Sequence, residues 1–190
     1  GHTISNLAIN VAADQFVGFF EQLNSGGVVE NVGLLGANVA SSSNHSIGGL
    51  VGKNLGSIGN AHITGSVSGS GNSTVGGLVG YNLGSITSAY TIGSVSGRGT
   101  LTGGLVAVNS GKISDAYAAA TVSGDSGSQI GGLVGYNSGT ISNVYSTGAI
   151  SGGSGSYIGG LVGGNSPPGS IHNAYAVETF PDAGNNLSLI

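Results

Sequence analysis

The sequence predicts an all-β protein, a parallel β-solenoid (β-helix) with three short strands per rung of about 28 residues and about six to seven rungs. The first observation behind this prediction is a repeated Gly-Gly-Leu-Val tetrapeptide, which begins at Gly48, Gly76, Gly103, Gly131 and Gly159. Its copies are 27 or 28 residues apart. A fixed period of roughly 20 to 50 residues is typical of repeat architectures, in which each unit packs only on its neighbours.

The second observation is that each repeat holds short apolar stretches separated by Gly, Asn and Ser. This pattern is typical of short strands joined by turns and not of helices. One apolar position is filled by Ile58, Ile86, Ile113, Ile141 and Ile171. Another is filled by Val67, Val95, Val122, Ile150 and Phe180. One repeat buries too little apolar surface to offset the entropy of ordering its backbone, so we expect the repeats to fold only when stacked.

The third observation is an asparagine that follows each tetrapeptide, at Asn54, Asn82, Asn109, Asn137 and Asn165. Coiled parallel strands place like residues above one another at about 4.8 Å. We therefore expect these side chains to form a ladder of stacked amides, an arrangement that stabilises cross-β structures.

The repeat predicts one solenoid domain over residues 1–190, with degenerate rungs in 1–46, regular rungs in 47–166, and an atypical last rung and tail in 167–190. In this alignment residues 17–20 take the place of residues 47–50, and residues 3–7 take the place of residues 140–144. After Phe180 the chain leaves the pattern.

The composition excludes several classes of function. Three basic and seven acidic residues give a net charge of −4 and no basic stripe, so we expect no nucleic-acid partner. No apolar run approaches the roughly 18 residues of a membrane-spanning helix, so we expect no membrane insertion. Because the chain has no cysteine, disulfides and thiolate metal sites are excluded. The sequence implies no cofactor.

The titratable residues predict neither a catalytic nor a metal site. Asp115 has Ser88 and Asn143 at the equivalent positions of the neighbouring rungs, so no second carboxylate lies beside it. Arg98 and Asp125 occupy equivalent positions in adjacent rungs, and we expect a surface ion pair there. The four histidines, His2, His45, His62 and His172, fall in unrelated positions and would have to come from distant rungs to share a metal.

The candidate ligand-binding residues form one aromatic position per rung: His62, Tyr90, Tyr117, Tyr145 and Tyr175. Each follows a small apolar residue by one place, so these rings should point outward as a column if the small residue points inward. Two interpretations stay open. The column could hold an extended polysaccharide or protein segment. Alternatively, stacking of like rings stabilises this face without any ligand.

The repeat resembles the GLUG motif, Gly-Gly-Leu-Val-Gly-Tyr/Lys-Asn-x-Gly-x-Ile, in residues 47–58, 75–86, 130–141 and 158–171, with a variant in 102–109. The resemblance implies a bacterial secreted or cell-surface protein of the filamentous-haemagglutinin-like adhesin type. It brings no catalytic residues.

We accordingly expect a non-enzymatic structural or adhesive segment, located extracellularly or on the bacterial surface. Its partner would be a host or matrix glycan or protein. One alternative is a filament subunit that binds itself end to end, and a lesser one is a polysaccharide-binding or polysaccharide-degrading β-helix.

Overall fold

The computed structural model describes residues 1–12, 15–42, 45–180 and 186–188, the last of these by backbone only. Every regular element in these ranges is a β-strand. In chain order the strands are β1 (His2–Ser5), β2 (Ala8–Val11), β3 (Phe16–Val17), β4 (Phe20–Leu23), β5 (Val28–Glu30), β6 (Val32–Ser41), β7 (Ser46–Gly48), β8 (Val51–Asn54), β9 (Ser57–Gly59), β10 (His62–Gly69), β11 (Thr74–Gly76), β12 (Val79–Asn82), β13 (Ser85–Thr87), β14 (Tyr90–Gly97), β15 (Leu101–Gly103), β16 (Val106–Asn109), β17 (Lys112–Gly124), β18 (Gln129–Gly131), β19 (Val134–Asn137), β20 (Thr140–Gly152), β21 (Tyr157–Gly159), β22 (Val162–Asn165), β23 (Ser170–Thr179) and β24 (Asn186–Ser188).

The strands stack into three parallel sheets, so the predicted all-β solenoid is confirmed, with about six turns. Sheet A has 11 strands and includes β6, β10, β14, β17, β20 and β23. Sheet B runs β24-β21-β18-β15-β11-β7-β3, and sheet C runs β22-β19-β16-β12-β8-β4. Each full rung adds to all three sheets in turn.

The register between rungs places like residues on like, as the repeat predicts. Val67 pairs with Val95, Val95 with Val122, and Val122 with Ile150. The tetrapeptide leucines Leu50, Leu78, Leu105 and Leu133 are completely buried. Burying such a side chain is worth about 1.5 to 3 kcal/mol, and the columns form one continuous interior.

The tetrapeptide forms a corner where only glycine fits. A Cβ atom on Gly48 would lie 2.3 Å from the carbonyl O of Val51 and 2.5 Å from the amide N of Gly80. These backbone atoms cannot move away without breaking the ladder between rungs. The Gly-Gly doublet therefore recurs because two strands of one rung meet here at close approach.

The first rung differs from the alignment made on the sequence. Ile4 pairs with Leu34 on β6, so placing residues 3–7 in register with residues 140–144 was wrong. Both stretches have an asparagine at positive φ two residues after an isoleucine, Asn6 (57°) and Asn143 (54°), but they lie at different corners. Phe20 pairs with Val51 and not with Leu50, because this rung is one residue shorter at the glycine corner.

The last rung is less covered than the others. Inward residues of β23 such as Ile171 and Ala174 are only partly buried, because nothing in the described chain packs on their far side. Beyond Phe180, whose ring packs on the core, residues 181–185 and 189–190 lie outside the described residues. The backbone of β24 pairs with β21 and extends sheet B by one strand.

Candidate functional site

The asparagines that follow the tetrapeptides form a continuous chain of amide hydrogen bonds inside the solenoid. Asn54 Nδ2 donates to Asn82 Oδ1 at 2.8 Å, and Asn82 Nδ2 donates to Asn109 Oδ1 at 2.7 Å. Asn109 and Asn137 continue the chain at 2.8 and 2.7 Å, ending at Asn165. The first four side chains are fully buried, so each amide depends on its neighbours to satisfy its polar atoms.

The two ends of this asparagine ladder are finished differently. On the N-terminal side Leu23 pairs with Asn54, so the ladder ends against an apolar residue. On the C-terminal side the exposed Asn165 donates to the carbonyl O of Gly169 at 3.3 Å. The ladder thus holds the rungs together, and its four buried members offer no amide to a ligand.

The aromatic residues form an outward column, as their position in the repeat predicts. Ring centroids are 4.7 Å apart for His62 and Tyr90, 4.8 Å for Tyr90 and Tyr117, and 4.8 Å for Tyr117 and Tyr145. Tyr175 completes the column at 5.3 Å from Tyr145. Neighbouring rings are within 7° of parallel. At the N-terminal end His62 pairs with Gly33, which has no side chain to cover the imidazole.

This stacking decides which parts of the rings a ligand could reach. The faces of the inner rings are covered by each other, and only their edges and phenol oxygens face outward. Tyr175 is 59 % exposed and has one uncovered face. Burial, followed by the neighbouring phenols Tyr145 and Tyr90, raises the pKa of Tyr117, so this hydroxyl stays protonated at neutral pH. A ligand role for the column remains a prediction, limited to edge contacts along most of its length.

A second polar ladder lies at a corner of sheet A, where β5 leads into β6, β9 into β10 and β13 into β14. The sequence analysis missed this ladder. Six residues here have left-handed backbones with φ from 46° to 59°: Asn31, Asn60, Ser88, Asp115, Asn143 and Asn173. Asn60 Nδ2 donates to Asn31 Oδ1 at 2.7 Å, and Asn143 Nδ2 donates to Asp115 Oδ1 at 3.0 Å. Asn and Asp tolerate this conformation best, and a column of Asn, Asp and Ser at one repeat position was the available signal.

A groove on the outer surface was also not predicted. It has a volume of about 570 Å³ and crosses five rungs at the end of the long strands of sheet A. One wall carries an outward residue from each rung, and the floor is mostly glycine. Its lining includes Asn10, Ser68, Ser96, Arg98, Ser123 and Asp125. In the ranges that the structure describes, no salt bridge within 4.0 Å joins Arg98 to Asp125, so the expected ion pair was wrong. Both side chains border the groove.

Among the described residues, Glu178 is the titratable group whose pKa is shifted most strongly. It takes a position filled by glycine or alanine in earlier rungs and turns its carboxyl inward, where both oxygens are buried without a hydrogen-bond partner. Burial raises the pKa of this carboxyl to about 7. A hydrogen bond from Ser146 would lower this pKa, but the Ser146 hydroxyl donates to the carbonyl O of Gly160 at 2.8 Å.

Within the described ranges no three His, Asp or Glu side chains come close enough to hold a metal ion together. The same part of the chain contains no helix with the length and hydropathy to cross a membrane.

The family model described as the GLUG motif matches residues 126–151, which include β18, β19 and most of β20. Residues 126–151 are a GLUG motif. This confirms the resemblance drawn from the repeat. The motif contains the glycine corner and Asn137 of the buried ladder, so its repeated residues are those that the stacking of rungs requires.

Two similar proteins extend the comparison. Halomucin from Haloquadratum walsbyi (strain DSM 16790 / HBSQ001) is 41 % identical over 69 residues, which are 36 % of this chain and 1 % of halomucin. A crystal structure of a "putative immunoglobulin A1 protease" from Bacteroides ovatus superposes with a TM-score of 0.71 at 24 % identity. That match covers 94 % of this chain and 60 % of the other, and it shows a shared fold.

Proposed function

We propose that this chain is a non-enzymatic β-solenoid segment of an exported surface protein, which serves as a rigid spacer and presents its outer faces for adhesion. The observation that carries this proposal is the like-on-like register of the rungs from β10 to β20. The same buried isoleucine, leucine and asparagine columns run through the regular part of the chain. Because each full rung bonds to the next through three sheets, we expect the stack to bend little.

The distribution of polar chemistry supports a role without catalysis. The carboxylate of Asp115 accepts a hydrogen bond from Asn143 and belongs to a structural ladder. Glu178 faces the interior. Neither forms the pair of facing acids that a β-helical glycosidase would need. The similarity to the Bacteroides ovatus protein extends to the fold and carries no claim about proteolysis.

The comparisons support an extracellular or surface location. The GLUG motif and a relative named halomucin both point to this class of protein. A uniform, almost uncharged surface with 10 charged residues in 190 fits a repetitive extended segment. The expected partner is a glycan or protein of a host or matrix.

Small-angle X-ray scattering together with limited proteolysis tests the spacer role. We expect a rod about 30 Å long, from about six rungs at about 4.8 Å each, and slow cleavage within the regular rungs. A scattering profile typical of a flexible chain would contradict the proposal. Adhesion is tested separately, by the retention of beads that carry the chain on matrix-coated surfaces under flow, with heat-unfolded chain as the control.

A second candidate is a filament subunit, and one observation favours it. Apolar side chains are exposed at both ends of the stack: Phe20 (37 %), Val28 (60 %), Tyr175 (59 %) and Val177 (65 %). Among the described residues the outermost strands β4 and β23 also pair on one side only. A further rung would cover these groups, whether it belongs to the same polypeptide or to a second copy. Light scattering over a concentration series tests the second case, because particles that lengthen with concentration are expected only for a filament.

A further inference from the structure

We propose that the groove along sheet A binds a neutral oligosaccharide chain laid parallel to the solenoid axis. This inference gives the ligand class for the adhesive role proposed above, and it rests on that role but not on the spacer role. The groove crosses five rungs, from Asn10 to Asp125, which is about 19 Å at 4.8 Å per rung. Its shape is long and shallow, so it fits a chain better than a compact molecule.

The wall of the groove is a row of hydroxyl groups. Ser68 pairs with Ser96, and Ser96 pairs with Ser123, so three hydroxyls follow one another at the rung spacing. Within the described chain none of these three hydroxyls has a protein hydrogen-bond partner. Each hydroxyl can both donate and accept, as the hydroxyls of a sugar do.

The charges in the groove favour a neutral ligand. Arg98 supplies donors and Asp125 supplies acceptors, and the two are neighbours in adjacent rungs. An anion would be attracted by the guanidinium and repelled by the carboxylate. A cation would be attracted by the carboxylate and repelled by the guanidinium. A ligand whose groups donate and accept in turn satisfies both residues without a net charge.

The backbone at the groove floor argues against a bound peptide strand. Ser70 N donates to Ser41 O at 3.0 Å, and Arg98 N donates to Gly69 O at 3.0 Å. Because these amides and carbonyls are used between rungs, a peptide could not add to the sheet through its main chain here. The side chains of the groove are the groups left for recognition.

The groove also fits a glycan better than the aromatic column does. Sugars bind aromatic residues through the ring faces, and the inner rings of the column cover each other's faces at 4.8 Å. The two surfaces are separate, so they can be tested separately. The Tyr117 and Tyr145 rings lie near the middle of β17 and β20, and the groove lies at the C-terminal end of β17.

The test is binding of the full chain to a glycan array that carries neutral and acidic oligosaccharides, followed by titration of the best ligand. The groove variant replaces three hydroxyls, Ser68→Ala, Ser96→Ala and Ser123→Ala. Losing three hydrogen bonds should weaken binding by about tenfold or more. The matched control changes the neighbouring outward column on the same strands, Ser66→Ala, Ser94→Ala and Thr121→Val, and should bind as the wild type does.

Several results would overturn the inference. These are a wild-type chain that binds no neutral glycan, one that binds only acidic glycans, and a groove variant with unchanged affinity. If binding is lost instead in a Tyr117→Ala and Tyr145→Ala variant, the ligand belongs to the aromatic column. Scattering measured on the same samples separates this outcome from the spacer role. A rod that binds no glycan leaves the spacer intact, whereas a flexible chain rejects the spacer itself.

Discussion

At the scale of single residues, the buried asparagines and Glu178 show opposite solutions to the same problem. An amide inside the solenoid is satisfied because an identical amide lies above and below it. The carboxyl of Glu178 has no such neighbour, and burial instead favours its neutral form. A buried polar side chain is thus stable where the same residue recurs in the neighbouring rungs. It is destabilising where the neighbouring rungs carry a different residue.

Replacing a central ladder asparagine should be strongly destabilising. Asn109→Leu removes the acceptor of Asn82 and the donor to Asn137, and leaves both partners buried. We expect a loss of about 2 to 4 kcal/mol in the free energy of unfolding, measured by chemical denaturation. Asn165→Leu is the matched control. Its site is exposed, and Asn137 keeps its bond to Gly139 O, so we expect less than about 1 kcal/mol. Equal losses would show that the ladder is not cooperative.

Glu178 should make stability fall as the pH rises. Its folded pKa of about 7 lies above its ordinary value of 4.5, so the folded state holds a proton that the unfolded state releases between these values. The contribution is complete below pH 4.5 and is lost as the pH rises through about 7. The residue as a whole is only half-buried, so we expect about 1 kcal/mol.

The measurement is thermal unfolding at several pH values, with Glu178→Gln as the comparison. The difference in stability between the two proteins should change over this pH range, and the variant should gain on the wild type at high pH. A constant difference would mean that the carboxyl is solvated in the folded protein.

At the scale of elements, each outer column is stabilised by contact between rungs. In the aromatic column the inner rings have two neighbours and the last ring has one. Parallel strands keep these pairs at the strand spacing, so their geometry follows from the backbone and needs no ligand. The column can therefore be structural even if it also contacts a partner.

An inner tyrosine should contribute more to stability than the terminal one. Tyr117→Ala removes contacts with Tyr90 and Tyr145, and we expect a loss of about 2 kcal/mol. Tyr175→Ala removes one contact at a site that is 59 % exposed, and should cost about half as much. Denaturation midpoints of the two variants give the comparison. A larger loss for Tyr175→Ala would show that the ring protects the end of the core.

The left-handed corner offers a stabilising substitution. Ser88 has φ of 53° in a column where Asn or Asp occupies the other described positions. Ser88→Asn should relieve backbone strain and place an amide between Asn60 and Asp115, for a gain of about 0.5 to 1 kcal/mol. The measurement is the melting temperature, with Ser94→Asn on the following strand as a control outside the corner. A lower melting temperature for Ser88→Asn would contradict this account.

At the scale of the whole molecule, stability is shared between neighbouring rungs and few contacts extend further. Solenoids of this kind behave as nearly one-dimensional arrays, in which each unit contributes its own stability and an interface. The first and last rungs lack one interface, which agrees with their greater exposure.

A whole rung should be removable without loss of the fold. Deleting residues 83–109 joins Asn82 to Ser110 and keeps every repeat position in place. We expect a folded rod shorter by about 4.8 Å, measured by small-angle scattering, with β-structure retained in circular dichroism. Deleting only residues 83–96 removes about half a rung, so equivalent residues of neighbouring rungs no longer lie above one another. We expect this shorter variant to be unfolded or aggregated. If both deletion variants fold, or if neither does, the description of the protein as a one-dimensional array of rungs is contradicted.

Much of this fold could be predicted from the sequence because the same residues recur at the same positions in several repeats. The period, the asparagine ladder positions and the outward aromatic positions all come from the spacing of identical residues. The first rung could not be aligned correctly, because Asn6 and Asn143 appear in the same local pattern at two different left-handed corners. A short pattern fixes a local conformation and not the corner at which it is used.

The sequence by itself determined that the chain is a stack of β rungs, and which residues lie above one another. Only the tertiary structure decided what each column presents to solvent or to the interior. It showed the ring faces of Tyr117 covered by their neighbours, Arg98 and Asp125 beside a groove, and Glu178 turned inward. The physical reason is that the register between rungs depends only on the number of residues per repeat, which can be read from the sequence. Side-chain direction, burial and the curvature of the backbone depend on how all three sheets close around the core.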